Sequence, residues 1–317
     1  MPWQTMDQHI IELLEKRLGR LHARQRLGIE SDNEARVFGH GMNFFHLENW
    51  YSIHSVIRNG LRLLGLYGRG KRNTLDILVR HNEIRLPGLP RAFDGFTILH
   101  VSDLHVDMNW DATHALIERL REVNYDLCVL TGDYRAQTFG AYDATLEGME
   151  RVRVHLKDPV YAVLGNHDTI RMVPGMEQMG FRVLLNESAA IERNGAVLHL
   201  VGIDDAHYYR VDNIEKAAHD VPHEAVSILL SHTPEIYKQA AHAGFNLLLC
   251  GHTHGGQICL PGGFPLTLDA RCPRYMGSGP WRYHDMIGYT SVGAGTCIVS
   301  VRLNCPPEIV LHHLHPA

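Results

Sequence analysis

Leu247-Leu248-Leu249-Cys250-Gly251-His252-Thr253-His254-Gly255-Gly256-Gln257 sets an apolar run of strand length against a glycine, two histidines one residue apart and two further glycines. In an extended or tightly turned backbone, residues i and i+2 point the same way, so His252 and His254 aim into one small volume. The glycines let the chain turn sharply and bring its backbone close to a bound group. Imidazole is a common metal ligand, and the stretch therefore predicts half of a metal site. Taken alone it also fits a surface turn that carries two histidines, because short motifs recur by chance. The rest of the chain decides between the two.

From residue 96 onward one arrangement repeats. Phe96 to Val101 leads into Ser102-Asp103-Leu104-His105, and Leu127 to Leu130 into Thr131-Gly132-Asp133. Val160 to Leu164 leads into Gly165-Asn166-His167-Asp168, Val226 to Leu230 into Ser231-His232-Thr233-Pro234, and Phe245 to Cys250 into the His252/His254 turn. Continuous apolar runs mark strands buried on both faces. Helical patterns lie between several of them. Asp111 is placed to cap a helix carrying Leu116, Leu120 and Val123, while Pro234 and Gly244 bracket another. Strand–helix–strand alternation predicts an α/β fold with a largely parallel sheet, its site in loops beyond the carboxyl ends of the strands. All five ligand-bearing segments fall there.

Asp103, His105, Asp133, Asn166, His232, His252 and His254 offer carboxylate, amide and imidazole donors and no thiolate. Such a set suits Mn, Fe or Zn, and it exceeds what one ion needs. Two divalent ions about 3.5–4 Å apart, bridged by one carboxylate, would use it; such a pair acidifies a bound water and clamps the oxygens of an in-line displacement at phosphorus.

Bulk properties are those of an ordinary globular protein. A length of 317 residues suffices for one large or two modest domains with a real core. A net charge of -5 argues against a nucleic-acid-binding surface. The six cysteines show no C-x-x-C spacing, and Cys128 and Cys250 sit inside apolar runs. No apolar run is long enough to span a bilayer, and the N-terminus lacks the uninterrupted apolar segment of a signal peptide. A reducing, cytoplasmic setting is expected.

The N-terminal third reads differently. Ile10, Leu14, Leu18 and Leu21 recur at helical spacing among Lys16, Arg17, Arg20, Arg24 and Arg26. Trp50, Ile53, Val56, Ile57, Leu61 and Leu64 form a second such face, with Arg58 and Arg62 between them. Two uses fit basic amphipathic helices: packing on the catalytic domain or a second subunit, or peripheral contact with the inner face of a membrane. The turn-rich Ile84-Arg85-Leu86-Pro87-Gly88-Leu89-Pro90 marks a boundary, giving a helical extension over 1–80 and a catalytic domain over 81–317.

Asp-x-His, Gly-Asp, Gly-Asn-His-Asp, a lone His and Gly-His-x-His, in that order, resemble the calcineurin-like metallophosphoesterase superfamily over roughly residues 82–317. The resemblance implies a four-layer α/β/β/α sandwich of two mixed sheets with a dinuclear centre at its strand ends. By that resemblance Asp103, His105 and His254 bind one metal, Asn166, His232 and His252 bind the other, and Asp133 bridges. His167 is similar to the family's catalytic histidine, which stabilises the transition state or protonates the leaving oxygen. Asp168 would orient that histidine or its loop, or cap a helix. The tail Gly255-Gly256-Gln257-Ile258 with Leu260-Pro261-Gly262, and Pro307-Glu308-Ile309, resembles a bacterial single-domain branch that includes the chlamydial-type UDP-2,3-diacylglucosamine pyrophosphatase. That branch often carries an arginine before its Pro-Glu pair, where Pro306 stands here.

The expectation is a dinuclear metal-dependent phosphodiesterase or pyrophosphatase acting on a small-molecule, nucleotide- or lipid-linked phosphoester by in-line attack of metal-bound hydroxide. A phosphomonoesterase with the same centre and a non-catalytic scaffold are the alternatives. Minor candidates are Asp204 and Asp205 as a paired acid, His207 and His284 as substrate contacts, Tyr134 as a loop or wall residue, and Phe264-Pro265-Leu266 as a pocket wall. Ser102 and Ser231 are assigned no nucleophilic role, since a serine nucleophile needs an adjacent base.

Overall fold

Each apolar run that ends in a ligand-type residue forms a strand. The computed structural model of the chain describes residues 2–38 and 51–317. One six-stranded sheet has the order β1 (Leu78–Leu86), β14 (Glu308–Pro316), β2 (Phe96–Val101), β3 (Leu127–Thr131), β4 (Val160–Val163) and β5 (Arg182–Val183). All its pairs are parallel except β14 with β2. The second has the order β12 (Gly279–Tyr283), β13 (Met286–Thr290), β9 (Leu247–Cys250), β8 (Ser227–Leu230), β7 (Ala196–Gly202) and β6 (Glu187–Arg193). It is parallel through its centre and antiparallel at both edges. A short ribbon, β10 (Cys259–Leu260) with β11 (Phe264–Pro265), follows the glycine turn.

Every residue of β3, β4, β8 and β9 is buried, which is why these strands read as unbroken apolar runs. Alternating side chains separate two cores. Ile98, Val129 and Tyr161 meet Leu200, Ile228 and Leu249 between the sheets. Leu99, Cys128 and Ala162 meet the helices α5 (Trp110–Glu122), α6 (Asp143–Arg153) and α7 (Val173–Gln178) on the outside, through Leu116, Met149 and Met176. On the far side, α8 (Ile214–Ala217) and α9 (Tyr237–His242) cover the second sheet with Ala217 and Ala240. The result is the α/β/β/α sandwich of two mixed sheets.

Three local readings change. The cap of α5 is Asn109, whose side-chain oxygen accepts from the Asp111 N–H at 3.1 Å; Asp111 lies inside the first turn. The segment read as a turn-rich boundary is strand as far as Leu86, because β1 is an edge strand with an exposed, polar alternation that hides it. Tyr134 is fully buried and donates to the Val163 carbonyl at 2.7 Å, so it belongs to the core and walls nothing.

The extension begins with α1 (Pro2–Leu18) and α2 (Arg20–Phe38), which meet at Gly19 with φ +85. Leu14, Leu18, Ala23 and Leu27 join the core that holds Ile170, Met172 and Met176. Leu21 is 86% exposed, since the turn at Gly19 resets the helical phase. Next, α3 (Tyr51–Leu63) and α4 (Tyr67–Asn73) pack through Leu61 and Tyr67 on Val299, Val301 and Leu303, leaving Val56, Leu63 and Leu64 exposed. Trp50 and the side chain of Ile53 lie outside the described residues. No described helix is long and apolar enough to cross a membrane.

Candidate metal centre

The loops after β2, β3 and β4 come from one sheet and those after β8 and β9 from the other, and they converge. Asp103, His105, Asp133, His252 and His254 all have positive φ, between 41° and 73°. Non-glycine residues avoid this region, and such strain concentrates at functional sites. Gly251 is required by close approach: a Cβ there would collide with Ser102 Oγ and the Asp103 carboxylate.

Two donor groups result. In the first, the ligand atoms of Asp103, His105 and His254 lie within 4.8 Å of one another. His105 Nε2 is 3.1 Å from His254 Nε2, which is 3.6 Å from Asp103 Oδ1. In the second, Asp133, His232 and His252 are grouped as closely. His232 Nε2 lies 3.2 Å from Asp133 Oδ2, 3.0 Å from Asn166 Oδ1 and 3.2 Å from His252 Nδ1. Asp133 Oδ2 also lies 3.9 Å from His105 Nε2, so it faces both groups. All seven residues predicted from the sequence are thus brought together, and all are buried.

The surroundings fix these donors. His105 Nδ1 donates to the Arg135 carbonyl and His232 Nδ1 to that of Thr131, at 2.7 Å for the latter. These bonds turn each Nε2 inward, as in metal sites generally. The His252 N–H donates to the Asp103 carboxylate at 3.0 and 3.1 Å. Asp133 Oδ1 accepts from the His167 N–H at 2.9 Å.

Charge is held under tension here. Burial pushes the Asp103 carboxyl up to about 6, helped by Asp133. Burial lowers His105 to about 4, and burial with nearby His105 and Arg302 holds His254 well below the ordinary range. Burial also opposes charge on His232, yet the Asp133 and Asp103 carboxylates raise that ring to about 10. Two buried carboxylates with mostly neutral imidazoles make a cavity short of positive charge. Divalent cations fit the donor set and would supply that charge in place of protons.

His167 sits at the edge of the cluster. Its Nε2 is 4.0 Å from Asp133 Oδ2, and its Nδ1 is 3.3 Å from Thr138 Oγ1. Asp168 has a different geometry from a partner of the His167 ring. Its fully buried carboxylate accepts backbone N–H groups from Asp133 (2.7 Å), Gly165 (2.8 Å), Tyr134 (2.8 Å) and Arg135 (3.3 Å).

Among the minor candidates, Asp205 caps its own turn by accepting from the N–H groups of His207, Tyr208 and Tyr209. Asp204 faces His22 at 3.0 Å and Arg26 at 3.8 Å. The His207 ring packs against that of His252, tilted by 47° with centroids 4.2 Å apart, while its Nδ1 meets Glu235 at 3.0 Å. Beside this pair lies a cavity of about 470 Å³ lined by Ile29 and Asn33 of α2 and by Tyr208, Arg210, Leu268 and Arg271. His284 packs on His242 and Tyr283, and Phe264 and Leu266 are exposed. The Ser102 hydroxyl meets Thr131, and Ser231 donates to the Thr233 carbonyl.

One residue escaped the sequence reading. Arg302 is fully buried and donates to the carbonyls of Gly295 and Val292, both at 2.7 Å, and of His254 at 3.3 Å. It ties the His254 turn to the loop after β13. The available signal was its setting, a lone cation in Val299-Ser300-Val301-Arg302-Leu303.

The calcineurin-like phosphoesterase family profile matches residues 96–256, the span that carries all seven donors. The uncharacterized metallophosphoesterase YkoQ of Bacillus subtilis is 30% identical over 257 residues, covering 78% of this chain and 93% of that protein. The phosphodiesterase YaeI of Escherichia coli is 28% identical over 255 residues, covering 75% of this chain and 87% of its own length. A solved archaeal phosphodiesterase is 12% identical over 62% of this chain and 82% of its own, with a TM-score of 0.34. The chain belongs to the calcineurin-like phosphoesterase family, and with it to the hydrolases of phosphoric esters.

Proposed function

We propose that the protein is a dinuclear metal-dependent phosphodiesterase or pyrophosphatase. The observation that carries this reading is the pair of donor groups facing one shared oxygen, Asp133 Oδ2. Asp103, His105 and His254 would hold one divalent ion, Asn166, His232 and His252 the other, and Asp133 both. When bound, the ions acidify a water and neutralise charge growing on the phosphoryl oxygens. The residues of the chain supply the rest. With Nδ1 accepting from the Thr138 hydroxyl, His167 carries its proton on Nε2 and gives it to the leaving oxygen. Asp168 acts as a positioning residue, holding the loops of Asp133 and Asn166 through their backbone amides.

A diester or diphosphate is favoured over a monoester because the cavity at His207, whose ring meets that of His252, gives room for a group beyond the scissile phosphate. A relative bearing the name phosphodiesterase supports the same choice. The glycine-rich tail's resemblance to the branch noted above brings nucleotide-linked lipid diphosphates into the substrate screen. Exposed Val56, Leu63 and Leu64 beside Arg58 and Arg62 support contact between α3 and an anionic bilayer. Unchanged sedimentation of Leu63→Glu with anionic vesicles would refute that contact. Six free cysteines support a reducing compartment such as the cytoplasm.

The test is hydrolysis of bis-p-nitrophenyl phosphate against p-nitrophenyl phosphate by Mn-loaded protein. Diester cleavage is expected, with His167→Ala lowering kcat about 10²–10⁴-fold and His254→Ala abolishing it. Preference for the monoester overturns the diesterase reading. Full activity in His254→Ala overturns the site.

A further inference from the structure

The N-terminal hairpin reaches the catalytic loops through one buried charged cluster. Arg26, on α2, is fully buried. Its Nη2 donates to the Asp168 carbonyl at 2.8 Å, and its Nε lies 3.1 Å from Glu30 Oε1 and 3.8 Å from Asp204 Oδ1. The guanidinium covers the ring of Tyr209 at 3.4 Å. Glu30, one turn further along α2, accepts from the Thr169 hydroxyl at 2.6 Å and the Ile170 N–H at 2.8 Å. His22, one turn earlier, meets the other Asp204 oxygen at 3.0 Å.

Helix α2 therefore grips two loops from different sheets. One follows β4 and carries Asn166 and His167. The other follows β7 and carries His207, whose ring packs at a tilt against His252. Burying this cluster costs desolvation that an apolar contact avoids. Leu14, Leu18 and Leu27 already dock the hairpin by apolar contact. What Arg26 adds is a planar, always-charged group that hydrogen-bonds one carbonyl, pairs its charge with two carboxylates and lies on a ring, joining all four.

We propose that Arg26 is a positioning residue for the reaction, locking the His167 loop against the His207 loop so that both keep their places around the centre. The inference rests on the reading of His167 as the leaving-group acid. It makes the extension a working part of the site, although the family profile begins only at residue 96. A displacement of about 1 Å transmitted from a distance is enough to cost about 100-fold in rate.

The experiment compares full-length, Mn-loaded Arg26→Met, Arg26→Lys and Leu14→Ala at a temperature where circular dichroism finds each folded. Arg26→Met is expected to lower kcat for bis-p-nitrophenyl phosphate by about 10–100-fold with KM within about twofold. Arg26→Lys recovers part of that loss. Leu14→Ala, which loosens the hairpin's apolar contact while leaving the cluster's own hydrogen bonds and ion pairs in place, lowers Tm and leaves kcat within about twofold of wild type. Wild-type kcat in folded Arg26→Met overturns the proposal, as does a loss of kcat in Leu14→Ala matching that in Arg26→Met. Should Arg26→Met fail to fold, Arg26→Lys and Glu30→Gln carry the comparison. Hydrogen exchange gives a readout independent of activity. Exchange is expected to rise in 165–170 and 204–209 with β3 unchanged, and unaltered exchange in both loops overturns the proposal even if the wild type hydrolyses neither ester.

Discussion

Replacing Asp168 by asparagine changes one atom and tests how the catalytic loops are held. The wild-type carboxylate is fully buried, and each oxygen takes two backbone N–H groups: Oδ2 from Asp133 and Gly165, Oδ1 from Tyr134 and Arg135. Asparagine keeps one acceptor oxygen and turns an NH2 towards two amide hydrogens. Two hydrogen bonds to a charged acceptor are lost, at about 1.5–3 kcal/mol each, so the variant should lose about 3–6 kcal/mol. That is a large part of a typical total of about 5–15 kcal/mol. Asp168→Ala orphans all four donors, costs about 4–12 kcal/mol at about 1–3 each, and should be largely unfolded at room temperature. Urea denaturation followed by circular dichroism measures both. Because Asp133 hangs on this carboxylate, Mn affinity should fall in step with stability. Asp168→Asn within about 1 kcal/mol of wild type, but catalytically dead, would refute the loop-holding role and return Asp168 to direct work with His167.

Arg302→Lys keeps the charge but cannot match carbonyls from several directions, and its effect should be about a tenfold weaker Mn affinity by calorimetry, with wild-type affinity contradicting it. Gly251→Ala drives a methyl group into Ser102 and Asp103, so it should cost about 1–3 kcal/mol and lose one bound Mn, read by thermal melting and metal analysis. Acid should destabilise the Mn-loaded protein through His100 and His312, which lie together in the core. Burial lowers His100 to about 3 and His312 well below its ordinary value. Near neutral pH both rings are uncharged in either state. Below about 6.5 the unfolded chain takes up protons that the folded one refuses, so each ring removes about 1.4 kcal/mol per pH unit down towards its folded value. His312→Gln should flatten that slope between pH 6.5 and 5, and an unchanged slope would contradict it.

What was legible in the sequence follows from burial. The central strands lie between two layers, so they are mostly apolar and are followed within a few residues by His, Asp or Asn, and the seven donors stand out against them. Edge strand β1 faces solvent along one side, and its polar alternation reads as a linker. Asp168 illustrates a second limit. Its partners are backbone amides, which leave no trace in residue identity, so sequence placed it beside His167 by proximity. Arg26 was read as one cation of a basic face, although α2 turns it inward onto Glu30, Asp204 and Tyr209. Leu21 was read on one helical face with Ile10, Leu14 and Leu18 because the pattern ran through Gly19 without a break, and the backbone does break there.

The most direct measurement is the number of Mn ions bound per chain, by calorimetric titration of chelator-stripped protein. Two donor groups sharing Asp133 predict two ions in the wild type, with His254→Ala losing one and keeping the other. A single ion or none in the wild type, or two undisturbed ions in His254→Ala, would contradict the dinuclear centre on which the proposed hydrolysis depends.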